Sequence, residues 1–181
     1  MTEIWLTSNR RVILMSMLPL GLLGALGLAI LWRDTPSLLN LVATLCLIFS
    51  LAMLTGLLLQ LYRPRIAYRD GHVLFYLQAR HPIAVPVQVV EAFFLGQGPA
   101  HLPVATASNT KSVNLVARLS QRATEWTHKD VKPALGQWSD GYVTIRGTWC
   151  EPLTGELVRR LNRRLSEISR LLENEGNETQ Q

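Results

Sequence analysis

The chain has 181 residues, 48% of them hydrophobic, and 18 Lys and Arg against 13 Asp and Glu give a formal charge of +5. That length allows one ordinary soluble domain plus additional structure, and excludes two large cores. From Arg63 onward 15 basic residues face 11 acidic ones, an excess that suits a membrane surface and falls short of a nucleic-acid binder. The two cysteines, Cys46 and Cys150, are too few and too far apart for a disulfide scaffold, as expected of a reducing cytoplasm.

Residues 1–11 are expected to be a short cytoplasmic N-terminal segment. Residues 12–32 and 38–62 then contain no charged side chain, and each run exceeds the ~20 residues that a helix needs to cross a bilayer. Only Arg33-Asp34-Thr35-Pro36-Ser37 separates them, so the pattern predicts a transmembrane helical hairpin over 12–62, with Thr35 as N-cap and Pro36 as first residue of the second helix. Arg10 and Arg11 before the hairpin, and Arg63, Arg65 and Arg69 after it, outweigh the turn, where Arg33 stands beside Asp34. Basic residues next to a span stay inside, which predicts a multi-pass protein of the inner (cytoplasmic) membrane with both termini cytoplasmic. The competing reading is a cleaved signal peptide, but its apolar stretch is too long for an h-region and a second span follows it. Gly21, Ala25 and Ala29, and again Ala52 and Gly56, form ridges of small residues that serve close helix packing or an oligomer contact, or else reflect ordinary membrane-helix composition. The absence of ionisable residues inside the spans argues against a proton or ion path.

After residue 62 the apolar period changes to two. Residues 66–69 and 72–77 read as strands joined at Asp70-Gly71, a pair that favours tight hairpin turns. A short extended piece at 83–85 lies between Pro82 and Pro86, a strand follows at 89–95, and 96–111 reads as a loop. Residues 112–120 alternate, placing Val113, Leu115, Ala117 and Leu119 on a buried face and Asn114 on the solvent face. A polar loop at 121–138 leads through Asp140-Gly141 to a last strand at 142–146. Beyond Pro152, residues Leu153, Leu157, Leu161, Leu165, Ile168 and Leu172 form one helical stripe, with Glu156 set to pair with Arg160 and Glu167 with Arg170. A cytoplasmic domain over 63–173 and a disordered polar tail over 174–181 complete the expected organisation.

The pattern Ile66-x-Tyr68-x-x-Gly71-x-Val73-x-Phe75, then Ile83-x-Val85-Pro86-x-x-x-Val90, with Gly141-Tyr142-Val143-Thr144-Ile145-Arg146-Gly147 before the final helix, resembles the bacterial PH-like domains of small membrane proteins. The resemblance implies an α+β fold: a bent, seven-stranded antiparallel sheet or barrel closed by a C-terminal amphipathic helix. It does not bring a phosphoinositide pocket, because the first hairpin turn carries only Arg69 and His72 beside it and Arg80 in the next loop.

Enzyme chemistry finds little support. The four histidines have no metal-ligand spacing, Gly96-Gln97-Gly98 lacks the remainder of a phosphate loop, and no cofactor is implied. Cys150 beside Trp149 is a nucleophile in a less favoured hydrolase reading, and a small packing residue otherwise. Three groups are candidates for binding. Arg10, Arg11, Arg63, Arg65 and Arg69 either face lipid headgroups or only set orientation. Trp126 and Trp138 either anchor a partner or fold under their own loop. Arg159, Arg160, Arg163 and Arg164 flank the helix stripe as a contact surface or as a solvated face. The reading is a membrane-anchored domain for protein interaction, assembly or accessory work, with lipids and a protein partner or second copy as its contacts. The alternative is a sensor of anionic lipid.

Overall fold

The computed structural model describes residues 2–33, 36–78, 80–99 and 111–178, and divides into a helical unit, Ser8–Arg63, and an α+β unit, Met1–Thr7 with Pro64–Gln181. In the helical unit, α1 spans Arg10–Leu31 and α2 spans Ser37–Tyr62. Asn9 caps α1 by accepting the Val12 N–H at 3.3 Å. Pro36 stands at the N-cap of α2 and not at its first position, so the helix starts one residue later than expected, and the proposed cap Thr35 lies outside the described residues.

The seam between the helices is built from other small residues than those in the expected ridges. Ser50 Oγ donates to the Leu20 carbonyl at 2.6 Å, a Cβ on Gly24 would stand 2.9 Å from that hydroxyl, and one on Gly27 would stand 3.1 Å from the Ala43 carbonyl. Nothing lies within 4 Å of such an atom at Gly21 or Gly56, and Ala25, Ala29 and Ala52 are exposed, so those ridges point away from the seam. Most of the remaining apolar surface is uncovered, as at Leu18, Leu22, Leu45 and Leu59. Both helices are long and apolar enough to cross a membrane. Trp32 past the end of α1 and Tyr62 at the end of α2 are 85% and 80% exposed. Ser8 Oγ donates to the Leu61 carbonyl at 3.1 Å, tying the two open ends of the hairpin together.

The α+β unit holds two four-stranded antiparallel sheets and a helix. The first has the order β1-β2-β3-β4, from Glu3–Leu6, Ile66–Arg69, His72–Phe75 and Ile83–Pro86. The second has the order β5-β6-β8-β7, from Val90–Pro99, Lys111–Leu119, Gly136–Ser139 and Tyr142–Ile145. Both tight turns are Asp-Gly pairs with positive φ at each residue, 48° and 77° at Asp70-Gly71 and 55° and 76° at Asp140-Gly141, the geometry that matches strand twist in a two-residue hairpin. Inward residues of both sheets, among them Phe75, Val85, Phe93, Leu115 and Ile145, meet Leu157, Leu161, Leu165 and Ile168 of α3, Gly155–Glu178. Asn162 of α3 accepts the Phe93 N–H at 2.7 Å and donates to the Phe93 carbonyl at 2.8 Å, closing that stretch of the β5 edge.

The structure departs from the sequence reading at several points. Eight strands are described, against the six read from the sequence and the seven that the resemblance implies: β1 arises in the N-terminal segment and β7 in an expected loop. β5 runs on to Pro99, so much of the expected 96–111 loop that is described is strand. α3 starts after Thr154, whose Oγ1 accepts the Leu157 N–H at 3.2 Å, and not at Pro152. It continues to Glu178, so 174–178 is helical where a disordered tail was expected. Val113 is 44% exposed and Asn114 only 4%, the reverse of the expected facing, because Asn114 Oδ1 turns inward to accept the Gly147 N–H at 3.2 Å. The expected ion pairs of Glu156 with Arg160 and Glu167 with Arg170 are absent among the described residues, and Glu167 pairs with Arg164.

Candidate functional site

The strand that precedes the hairpin is part of the soluble core. β1 pairs with β2 through Glu3↔Tyr68, Ile4↔Ala67 and Leu6↔Ile66, and the register shift at Trp5 lets two consecutive side chains, Trp5 and Leu6, turn inward. Trp5 stacks on Tyr68 at 5.7 Å and meets Phe93 edge-on at 6.2 Å. Thr7 N–H donates to Glu151 Oε1 at 2.9 Å and the Thr7 carbonyl accepts the Glu151 N–H at 3.1 Å. At the other end, Arg164 grips Glu3 with two hydrogen bonds, Nε to Oε1 at 2.9 Å and Nη2 to Oε2 at 2.8 Å, and reaches Glu167 with Nη1 at 2.7 Å. These carboxylates hold the Arg164 guanidinium well above its ordinary range. Arg164 is therefore a clasp between α3 and β1 and not an unengaged contact residue.

Between these two fixtures α3 and β1 border an open cleft. One cavity of about 640 Å³ is lined by Glu151, Thr154, Glu156, Arg159, Arg160 and Arg163. A second, of about 420 Å³, shares Glu151 and Arg160 with it and extends along Ile4, Trp5 and Thr7. The exposed guanidinium groups of Arg160 and Arg163 form no ion pair or hydrogen bond among the described residues, and Arg159 Nε donates to the Gly155 carbonyl at 3.3 Å. Three of the four predicted helix arginines thus converge on one concave surface. Sequence reasoning missed Thr7 and Glu151, because only the return of β1 to the core brings Thr7 beside Glu151.

The five arginines that flank the two apolar helices in sequence meet different surroundings. Arg65 is 3% exposed inside the α+β unit, with Nε donating to the Trp149 carbonyl at 3.2 Å, so it cannot present its charge to headgroups. Arg69 pairs with Asp70 at 3.0 Å. Arg10 and Arg11 are exposed in the first turn of α1, and Arg63 follows α2 with partial burial. Trp138 is likewise internal, 1% exposed, with Nε1 donating to the Trp126 carbonyl at 2.8 Å and its ring edge-on to Phe75. Trp126 lies half-buried against Trp138 beneath Lys129, whose Nζ is 4.8 Å from the ring centroid. Both tryptophans take the reading in which the loop folds over its own aromatic rings.

Cys150 Sγ is buried, donates to the Arg146 carbonyl at 3.3 Å, and is pushed up to about 12 by that burial. Burial thus favours the neutral thiol over the thiolate that the hydrolase alternative would use as nucleophile. No group of three or more His, Cys, Asp or Glu side chains among the described residues could hold a metal ion. Comparison with protein families, curated proteins and solved structures finds no match to this chain.

Proposed function

We propose that the chain is a membrane-anchored binding module, in which the hairpin holds a PH-like domain at the cytoplasmic face of a bacterial inner membrane to engage a protein partner as an assembly or accessory subunit. The pairing of β1 with β2 carries this reading. Those strands lie on either side of the hairpin in sequence and share one ladder, so a hairpin that crosses a bilayer must leave it on the side from which it entered. The excess of arginine at those two ends over the Arg33-Asp34 turn supports the cytoplasmic side. The same strand argues for retention of the first span, since signal cleavage would detach Trp5 and Leu6 from the core they complete. Two antiparallel sheets and a C-terminal helix support the PH-like reading, and the burial of Cys150 weighs against its use as a nucleophile. Tethering then acts by raising the local concentration of the partner at the membrane.

A reporter fused after Gln181 tests the orientation together with one inserted in the 33–37 turn. The first should be active only in a form that works in the cytoplasm and the second only in an external form. The reverse pair would overturn the orientation. Purification of the full chain in mild detergent should recover a stoichiometric protein partner or a second copy, and recovery of a monomer alone would remove the interaction reading.

A further inference from the structure

We propose that the arginine-lined cleft at the start of α3 binds a phosphate-bearing anion. This site is separate from the juxtamembrane arginines and from the tethering reading, and either can fail without the other.

The arginines here differ from their neighbours in what they leave unused. Arg69, Arg118 and Arg164 each hold a carboxylate within 3.0 Å. Arg160 has Glu156 four residues before it, the favourable order for an ion pair along a helix, yet it makes none and lines both cavities instead. Arg163 opens on the larger cavity with no ion pair among the described residues, and Arg159 lies over the first helical turn. Of the two acids on the same surface, Glu151 is engaged by the Thr7 N–H. Three guanidinium groups against two carboxylates leave net positive charge facing an open concavity, and the positive end of the 24-residue α3 adds to it. A guanidinium presents a planar fork of donors, so several converging forks suit the tetrahedral oxygens of a phosphate better than a single planar carboxylate. The cavity, at about 640 Å³, has room for a headgroup or a small phosphorylated solute. A lipid headgroup and a soluble phosphate present the same tetrahedral oxygens to such a cleft.

The test uses the full chain in uncharged detergent, read as the shift of its melting midpoint with each probe. The probes are inorganic phosphate against chloride at equal ionic strength, and short-chain phosphatidylglycerol against a phosphate-free glycolipid of the same chain length. At least one phosphate probe should raise the midpoint saturably. A response to inorganic phosphate assigns a soluble ligand, and a response to phosphatidylglycerol alone assigns a lipid headgroup. The Arg160→Gln, Arg163→Gln double variant should bind about tenfold more weakly, while Arg170→Gln, on the same helix outside the cleft, should match the parent. Glu156→Gln removes a competing carboxylate without touching the arginines and should tighten binding, which keeps the proposal testable if the double variant fails to fold. No saturable shift with either probe would overturn it, as would equal affinities in parent, double variant and Glu156→Gln.

Discussion

Leucine meets opposite fates in the two units of this chain. In α1 and α2, Leu22 and Leu45 are 67% and 59% exposed, and apolar residues surround each helix. In α3, Leu161 and Leu165 are 1% and 4% exposed while arginines occupy the other faces. A helix that is apolar all round is built for a solvent that is itself apolar, and one with a single stripe is built to lie on a core.

The contrast breaks if the two kinds of leucine respond alike. Leu161→Ala should cost about 2–5 kcal/mol, a large share of a small domain's stability, whereas Leu22→Ala in detergent should change it by less than about 0.5 kcal/mol. Thermal or denaturant melts of the full chain measure both. Equal costs would show that α1 packs against protein on the face assigned to lipid. Next in size is a pH effect. Burial raises the Cys150 thiol from near 9 to about 12, so between those values the unfolded chain has lost a proton that the folded one keeps, and stability should fall as pH rises through that window. Melts from pH 8.5 to 11 should show the decline, and Cys150→Ala should flatten its own share of it.

Inside the hairpin, Ser50→Ala removes the hydroxyl that reaches Leu20 and should weaken helix association by about 0.6 kcal/mol, read by unfolding in mixed micelles. The smallest effect belongs to Glu3→Gln, which should lower the melting midpoint slightly by loosening the Arg164 clasp. High salt should reduce the difference from the parent, because both side chains are partly exposed.

Features carried by a local signal were legible in the sequence. The two apolar runs, the two Asp-Gly turns and the α3 stripe each declare themselves within a few residues, because composition, positive φ or the 3.6-residue period is a local property. β1 carries no such mark. It is four residues long, lacks a turn beside it, and finds its partner only after the entire hairpin has intervened. β7 was hidden for another reason: Gly136 reads as a loop residue, yet it is required in the strand, where a Cβ would overlap the Thr144 carbonyl. The candidate site divided along the same line. Arg65 and Arg160 look equivalent as charges in sequence, but the Trp149 carbonyl accepts one indoors while the other stays in the cleft. Only the folded partners, remote in the chain, decide which guanidinium is engaged.

The placement of β1 also imposes an order on biosynthesis. A chain made from its N-terminus exposes Glu3–Leu6 before both apolar helices, and only afterwards the β2 residues that complete the ladder. Until then the strand is an unpaired edge, carrying Trp5 and Leu6 with no core to receive them. Completion of the first sheet must therefore wait until the hairpin has left the ribosome, which makes β1 a latch that closes only after both apolar helices have been made.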